Sequence, residues 1–147
     1  MKKFSFRLET LLQHRRHLEE KERTRFSAIR NELLVEMDHT QTLRTKQAQA
    51  LAELAQKKSG DCDVQEITWH YRFLDRLALE LERSARRIAE LEGKLEIQKQ
   101  VMIEAMRNKK MIENLRSKRE KEFLTALERA EQKSVDEIVV TRYAHKQ

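Results

Sequence analysis

The chain contains no proline among its 147 residues and only two glycines, Gly60 and Gly93. Proline breaks a helix by removing a backbone donor and clashing with the preceding turn, and glycine weakens a helix. Aromatic residues make up 5% of the chain and charged residues 38%, so the apolar residues suffice for a stripe along a helix but not for a globular core. A single cysteine, Cys62, excludes an internal disulfide and is typical of a reducing compartment.

Long apolar runs are also missing. After Lys2 and Lys3 the charge returns at Arg7 and Glu9, and about 18 apolar residues nowhere run together, so we expect no signal sequence and no membrane span. These absences favour a cytoplasmic location. The net charge of +6 permits acidic partners of any kind.

Apolar residues recur every seven residues in both halves of the chain. In the second half six such positions follow without a gap: Ile67, Leu74, Leu81, Ile88, Leu95 and Met102. In the first half the expected seam residues are Leu11, Leu18, Phe26, Leu33 and Leu54. The step from Leu18 to Phe26 is eight residues, which predicts a shift of the heptad near Glu22 without an end to the helix. The pattern predicts an all-α fold, a long two-helix antiparallel coiled-coil hairpin.

The element boundaries follow from local signals. Lys57 and Lys58 before Gly60 form a helix stop signal, and Asp63 with Glu66 is typical of a capping box. We predict one coiled-coil domain over 1–147, with helix one at about 3–58, a turn at about 59–63, helix two at about 64–133 and a frayed tail at about 134–147. The tail is expected to fray because residues 138–141 are β-branched.

A hairpin folded at Gly60 has a second helix that outlasts the first by around twenty residues. The overhang carries an apolar face without an intramolecular partner: Phe123, Leu124, Leu127 and Ala130. Such a face either fixes an oligomer or binds another protein. We expect a monomer, and an oligomer through this overhang stays open.

Catalytic and metal-binding patterns are weak. Gly60 and Gly93 stand too far apart for a phosphate-binding loop. His14 and His17 could share a metal ion, but no third ligand stands at a suitable spacing. Cys62 has no base at a reliable spacing. We therefore expect neither catalysis nor a cofactor nor a metal.

Two features suggest protein partners. Trp69 and Phe73 lie one helical turn apart just after the turn, and aromatic residues anchor interfaces. Residues 1–17 carry five Lys and Arg against one carboxylate, and residues 107–121 carry seven against two. The antiparallel arrangement brings both segments to the end remote from the turn, where they predict a docking patch. A nucleic acid is an alternative target, although no aromatic residues alternate with these charges.

The opening Phe4-Ser5-Phe6-Arg7-Leu8-Glu9-x-Leu11-Leu12-x-x-Arg15 is similar to the N-terminal signature of the FliJ family, a soluble component of the bacterial flagellar type III export apparatus. The tail, with Glu120-Lys121-Glu122, Asp136-Glu137 and Arg142, resembles that family's C-terminal pattern. The resemblance implies a non-enzymatic, stalk-like coiled coil that binds and stimulates the hexameric export ATPase FliI. It also implies contacts with the export gate protein FlhA and with export chaperones, and a peripheral location at the inner membrane through these partners.

Carried onto this sequence, the resemblance implies an ATPase-ring contact at Arg7, Arg15, Arg16, Arg116, Lys118 and Arg119. It implies an export-gate contact at Gln47, Leu51, Leu74, Ala78, Leu81 and Ala85. Two alternatives remain open: the equivalent stalk protein of a virulence type III secretion system, and a basic coiled coil that binds nucleic acid.

Overall fold

The computed structural model describes residues 2–60 and 63–146, which form two long helices. Helix α1 spans Glu9–Lys58 and helix α2 spans Val64–Ala144, and no strand occurs within the described ranges. The predicted all-α class with two long helices is confirmed. Asp61 and Cys62, within the predicted turn, lie outside the described residues.

Helix α1 begins six residues later than predicted, at Glu9 instead of residue 3. The Glu9 N–H donates to the carbonyl of Phe6 (3.1 Å), and residues 2–6 have no regular secondary structure. The Phe4 ring instead packs against Phe123 from this non-helical segment, with ring centroids 5.7 Å apart. The sequence pattern treated Phe4 as a helical position because its spacing to Leu11 is seven residues.

Helix α2 continues to Ala144 and includes most of the segment from about residue 134 for which we predicted a frayed tail. Side chains support the last turns: Thr141 Oγ1 donates to the carbonyl of Glu137 (2.7 Å), and Gln132 Nε2 donates to Asp136 Oδ1 (3.2 Å). Each β-branched residue costs a helix only a few tenths of a kcal/mol, roughly 0.5 kcal/mol relative to alanine. The run at 138–141 therefore does not end the helix.

At the helix ends near the turn, one of the predicted capping interactions is present and two are not. Asp63 Oδ1 accepts the backbone N–H of Gln65 (3.2 Å), which caps α2. Glu66 does not complete a capping box, because its carboxylate pairs with Lys57 Nζ at 3.3 Å. The Gly60 N–H donates to the Lys57 carbonyl (3.4 Å), and Gly60 does not have a positive φ, so the left-handed cap is not used.

The chain divides into two compact units. Unit 1 combines residues up to Lys21 with residues from Ile103 onward, and unit 2 comprises Glu22–Met102. In unit 2 both helices contribute buried apolar side chains: Leu33, Leu43, Ala50 and Leu54 of α1, and Leu77 and Leu91 of α2. In unit 1 the buried apolar side chains are Leu12 and Ile112.

The heptad of the first helical segment has no shift near Glu22, contrary to the prediction. The buried and half-buried positions form one unbroken series with a period of seven, at Leu12, Glu19, Phe26, Leu33, Thr40, Gln47 and Leu54. A second series runs through Leu8, Arg15, Glu22, Ile29, Glu36, Leu43, Ala50 and Lys57. Leu11 is 37% exposed, whereas Leu12 is 0% exposed, so the prediction of Leu11 as a seam residue is wrong. Leu18 is half-buried beside Glu19, outside both series.

Polar side chains in the seam explain why the spacing of apolar residues predicted the wrong heptad register for α1. Glu19, a seam residue, pairs with Lys109 Nζ at 3.6 Å. Glu22, the next polar seam residue, accepts hydrogen bonds from Gln98 Nε2 on both its carboxylate and its carbonyl. These charged and amide side chains occupy positions where a search for apolar residues finds nothing, so Leu11 and Leu18 gave a false register.

Helix α2 also has two interleaved series. The predicted positions from Ile67 to Met102 are all half-buried. The most buried residues belong to a second series three residues later, at His70, Leu77, Ser84 and Leu91. Two of these four are polar. Thus α2 faces α1 with both series, whose members alternate along the helix at steps of three and four residues, as a coiled coil requires.

A buried polar layer crosses the middle of unit 2. The hydroxyls of Thr40 and Ser84 lie 2.6 Å apart, and Ser84 Oγ donates to Glu36 Oε1 at 2.6 Å. Thr40 and Ser84 are 7% and 3% exposed. Because buried polar groups are costly without partners, this layer favours one register of α1 against α2.

Candidate partner-binding surfaces

In unit 1 the non-helical N-terminal segment is held against α2 by one arginine. The guanidinium of Arg116 lies 6.0 Å from the centroid of the Phe4 ring, and its Nε pairs with Glu9 Oε2 at 2.9 Å. The Phe123 ring also contacts Phe4, with ring centroids 5.7 Å apart. Arg116 therefore joins the segment before α1, the start of α1 and α2.

The six residues expected to contact an ATPase ring all lie in unit 1, but they differ in availability. Three are already paired: Arg16 with Glu113 (3.6 Å), Arg116 with Glu9, and Arg119 with Glu122 (4.0 Å). Arg15 is half-buried, and its Nε is buried without a hydrogen-bond partner in the part of the chain that the structure describes.

Arg7 and Lys118 remain as exposed cations, and neither forms an ion pair with the described residues. Lys3, Lys110 and Lys121 are further exposed cations of unit 1. The charge count of residues 107–121 could have pointed to Lys110 and Lys121, since it covers both positions. Unit 1 thus presents a basic surface that its own carboxylates neutralise only in part.

The residues expected to contact the export gate do not form one surface in unit 2. Gln47, Leu74 and Leu81 are half-buried between the helices. In contrast, Ala78 and Ala85 are exposed, and Leu51 is 52% exposed. Half of the expected set therefore serves helix packing, and the other half is open to a partner.

The exposed half of this set shares one edge of unit 2 with Tyr71. We call this surface the apolar edge, and it comprises Leu51, Tyr71, Ala78 and Ala85. Leu51 stands seven residues before Lys58, and Tyr71 stands seven before Ala78. The Lys58 ammonium donates to the Tyr71 hydroxyl, which shows that these two heptad positions adjoin. The opposite edge carries the ion pair of Arg87 with Glu32 (3.6 Å). Tyr71 is 45% exposed.

An aromatic stack lies near the start of α2. The rings of Trp69 and Phe73 are parallel within 2° with centroids 5.5 Å apart, and the guanidinium of Arg76 lies 5.5 Å from the Phe73 centroid. Trp69 is 60% exposed. Tryptophan and arginine are the residue types that carry binding energy at protein interfaces. The pairing of Trp69 with Phe73 was predicted from their spacing, whereas the contact with Arg76 was not.

His70 lies beside Trp69, with ring centroids 5.1 Å apart and the ring planes at 80°. His70 is 3% exposed, and its Nδ1 is buried without a hydrogen-bond partner among the described residues. Sequence reasoning missed this histidine, because its buried heptad position carries a polar side chain and does not belong to the apolar series from Ile67 to Met102.

The described residues contain no cluster of metal ligands and no candidate membrane span. No three His, Cys, Asp or Glu side chains of residues 2–60 and 63–146 come together as a metal site. His14 and His17 are both exposed. Within the same ranges, neither helix has a stretch long and apolar enough to cross a membrane.

Two long helices paired through heptads, with basic and apolar strips left open, define the class of two-helix coiled-coil binding proteins. A family model described as "Flagellar FliJ protein" matches residues 4–147, and the chain belongs to the FliJ family. This family is a non-enzymatic component of flagellar protein export, so the chain has a role in that process. The match favours a flagellar over a virulence secretion system. Neither curated proteins nor solved structures give a significant match.

Proposed function

We propose that the chain is a stalk-like coupling protein of flagellar export, which binds the hexameric ATPase FliI through unit 1 and stimulates its ATP hydrolysis. The gate protein FlhA and export chaperones bind unit 2. Through these partners the chain is held at the cytoplasmic face of the inner membrane, without a catalytic site of its own.

The observation that carries the ATPase contact is the pair of exposed cations Arg7 and Lys118. Neither has an ion-pair partner in the described part of the chain, while Arg16, Arg116 and Arg119 are engaged by carboxylates of unit 1. Forming a contact with acidic groups of a partner then requires no internal ion pair to break. We therefore assign the binding role to Arg7 and Lys118, and a positioning role to Arg116, which holds Phe4 in place.

The gate contact is supported by the apolar edge of unit 2. Exposed Leu51, Ala78 and Ala85 provide a shallow apolar strip, and small alanine side chains allow a partner to approach the helix closely. Leu74 and Leu81 contribute indirectly, because they hold α2 against α1. We assign the gate-binding role to the exposed three and Tyr71.

The ATPase rate of purified FliI, measured with and without this chain at equal molar ratio, tests the first contact. We expect the chain to raise the rate, and Arg7→Glu/Lys118→Glu to raise the concentration needed for half of the effect about tenfold, since rim charges steer association. Lys46→Glu/Lys94→Glu is the matched control, because it changes the net charge equally at exposed positions of unit 2. An unchanged FliI rate with the wild-type chain contradicts the proposal.

Binding to the cytoplasmic domain of FlhA tests the second contact. Ala78→Glu and Ala85→Glu place a charge on the apolar edge and should weaken binding about tenfold or more, since the carboxylate must be desolvated. Ala28→Glu makes the same change at an exposed position one helical turn before Glu32, on the opposite edge of unit 2, and should leave binding intact. Equal losses in Ala85→Glu and Ala28→Glu would show that this edge is not the contact.

A further inference from the structure

The end of α2 carries a row of apolar side chains that nothing in unit 1 covers. Leu124, Leu127, Val135 and Ile138 are exposed by 50%, 37%, 54% and 52%. Phe4 meets α2 at Phe123, and every residue from Leu124 to Lys146 is exposed. Water contact with this much apolar surface is unfavourable, at about 25 cal/mol per Å².

This row does not continue the seam with α1. In unit 1 the positions of α2 that contact the N-terminal segment and α1 include Lys109, Arg116 and Phe123, spaced by seven. The next positions in that series are Ala130 and Glu137. Leu124 and Ile138 lie one residue later, which is a rotation of about 100° around the helix. The row therefore faces a different direction from α1.

The residue pairs within unit 2 show which positions lie opposite each other when two helices of this chain run antiparallel. Thr40 meets Ser84 at central positions, while Lys58 meets Tyr71 on one flank and Glu32 meets Arg87 on the other. Two copies of the α2 end that run in opposite directions can pair with the same spacing between their central and flanking positions. Leu127 then lies opposite Ile138 of the second copy, and Val135 lies beside its own counterpart.

The flanking charges complement each other in this register. Glu128 of one copy falls opposite Arg142 of the other, and the two-fold symmetry produces this pair twice. Ala130 lies opposite its own counterpart on the other flank, where its small side chain leaves room. The row also contains Glu131, Ser134 and Thr141, so the seam is only partly apolar.

We propose that residues 124–142 bind a second copy of this chain as an antiparallel, two-fold symmetric coiled coil. The interface is about twenty residues long and contains polar positions, so it is reversible, with a dissociation constant of about 10–100 µM. A closed two-fold contact of this kind stops at the dimer. The inference does not depend on the proposed function.

Sedimentation equilibrium of the full chain, with Cys62→Ser to prevent disulfides, tests this dimer. Between about 1 and 300 µM the mass should rise from the monomer value of 17.7 kDa towards twice that value. Ile138→Glu should keep the chain monomeric. Val140→Glu introduces the same charge two residues away, at an exposed position outside the row, and should dimerise like the wild type. Equal helix content by circular dichroism excludes unfolding in either variant.

Charge reversal tests the register itself. Glu128→Arg and Arg142→Glu each place like charges opposite one another twice and should weaken the dimer about tenfold, whereas the double variant should recover the wild-type affinity. A constant mass of 17.7 kDa, a mass beyond the dimer, or a double variant as weak as the single ones would overturn the proposal. So would a chain that stays monomeric but binds phosphatidylglycerol vesicles through these residues.

Discussion

Replacement of Ser84 by alanine removes the centre of the polar layer in unit 2. Ser84 Oγ donates to the Glu36 carboxylate at 2.6 Å and lies 2.6 Å from Thr40 Oγ1. A hydrogen bond to a charged group contributes about 1.5–3 kcal/mol, and Glu36 is only half-buried, so water recovers part of that loss and we take about 1.5 kcal/mol. Alanine favours the helix over serine by about 0.5 kcal/mol. The expected net loss of unfolding free energy is about 1 kcal/mol.

Urea unfolding followed by helical ellipticity measures this loss. Ser117→Ala is the matched control, because Ser117 is an exposed serine in the same helix and the change there leaves only the gain in helix propensity. We expect Ser117→Ala to stabilise by about 0.5 kcal/mol, so the two variants should differ by about 1.5 kcal/mol. If Ser84→Ala is as stable as Ser117→Ala, the polar layer does not hold α1 and α2 together.

Two further substitutions test the observed seam. Leu12→Ala should lower the unfolding free energy by about 2–4 kcal/mol because Leu12 is fully buried, and Leu11→Ala should lower it by less than about 1 kcal/mol. Similar losses of the two variants in urea unfolding would instead support the register that the apolar residues predicted. His70→Leu should raise the thermal unfolding midpoint, since it removes a buried Nδ1 that has no hydrogen-bond partner within residues 2–60 and 63–146 and gains about 1 kcal/mol of unfolding free energy. A lower midpoint would indicate that His70 has a partner.

The sequence predicted the two helices and most of the seam of α2, because six apolar residues from Ile67 to Met102 keep a strict period of seven. It failed in α1 near Glu19 and Glu22. There the seam consists of charged residues whose partners, Lys109 and Gln98, are about 75 to 90 positions away in sequence. A periodic search for apolar residues cannot detect pairs of that kind.

The candidate sites show the same limit. Charge runs located the basic surface of unit 1, but which cations are paired depends on the distances of Arg116 to Glu9 and Arg16 to Glu113. Similarly, Leu81 and Ala85 are one helical turn apart, and only the register decides that the first packs between the helices while the second is exposed. Spacing located both regions, and packing determined the role of each residue.

The basic surface of unit 1 and the apolar edge of unit 2 depend on the register of α1 against α2, which spin-label distances measure directly. Labels at Arg16 and Glu113 report on unit 1, and labels at Glu32 and Arg87 report on unit 2, each in a Cys62→Ser background. For both pairs we predict roughly 20 Å, from an interhelical distance of about 10 Å and two label arms, unchanged on dilution with unlabelled chain. A shift of one heptad moves one helix by about 10 Å. A clearly longer distance in unit 1, or a signal lost on dilution, would contradict the unbroken intramolecular heptad.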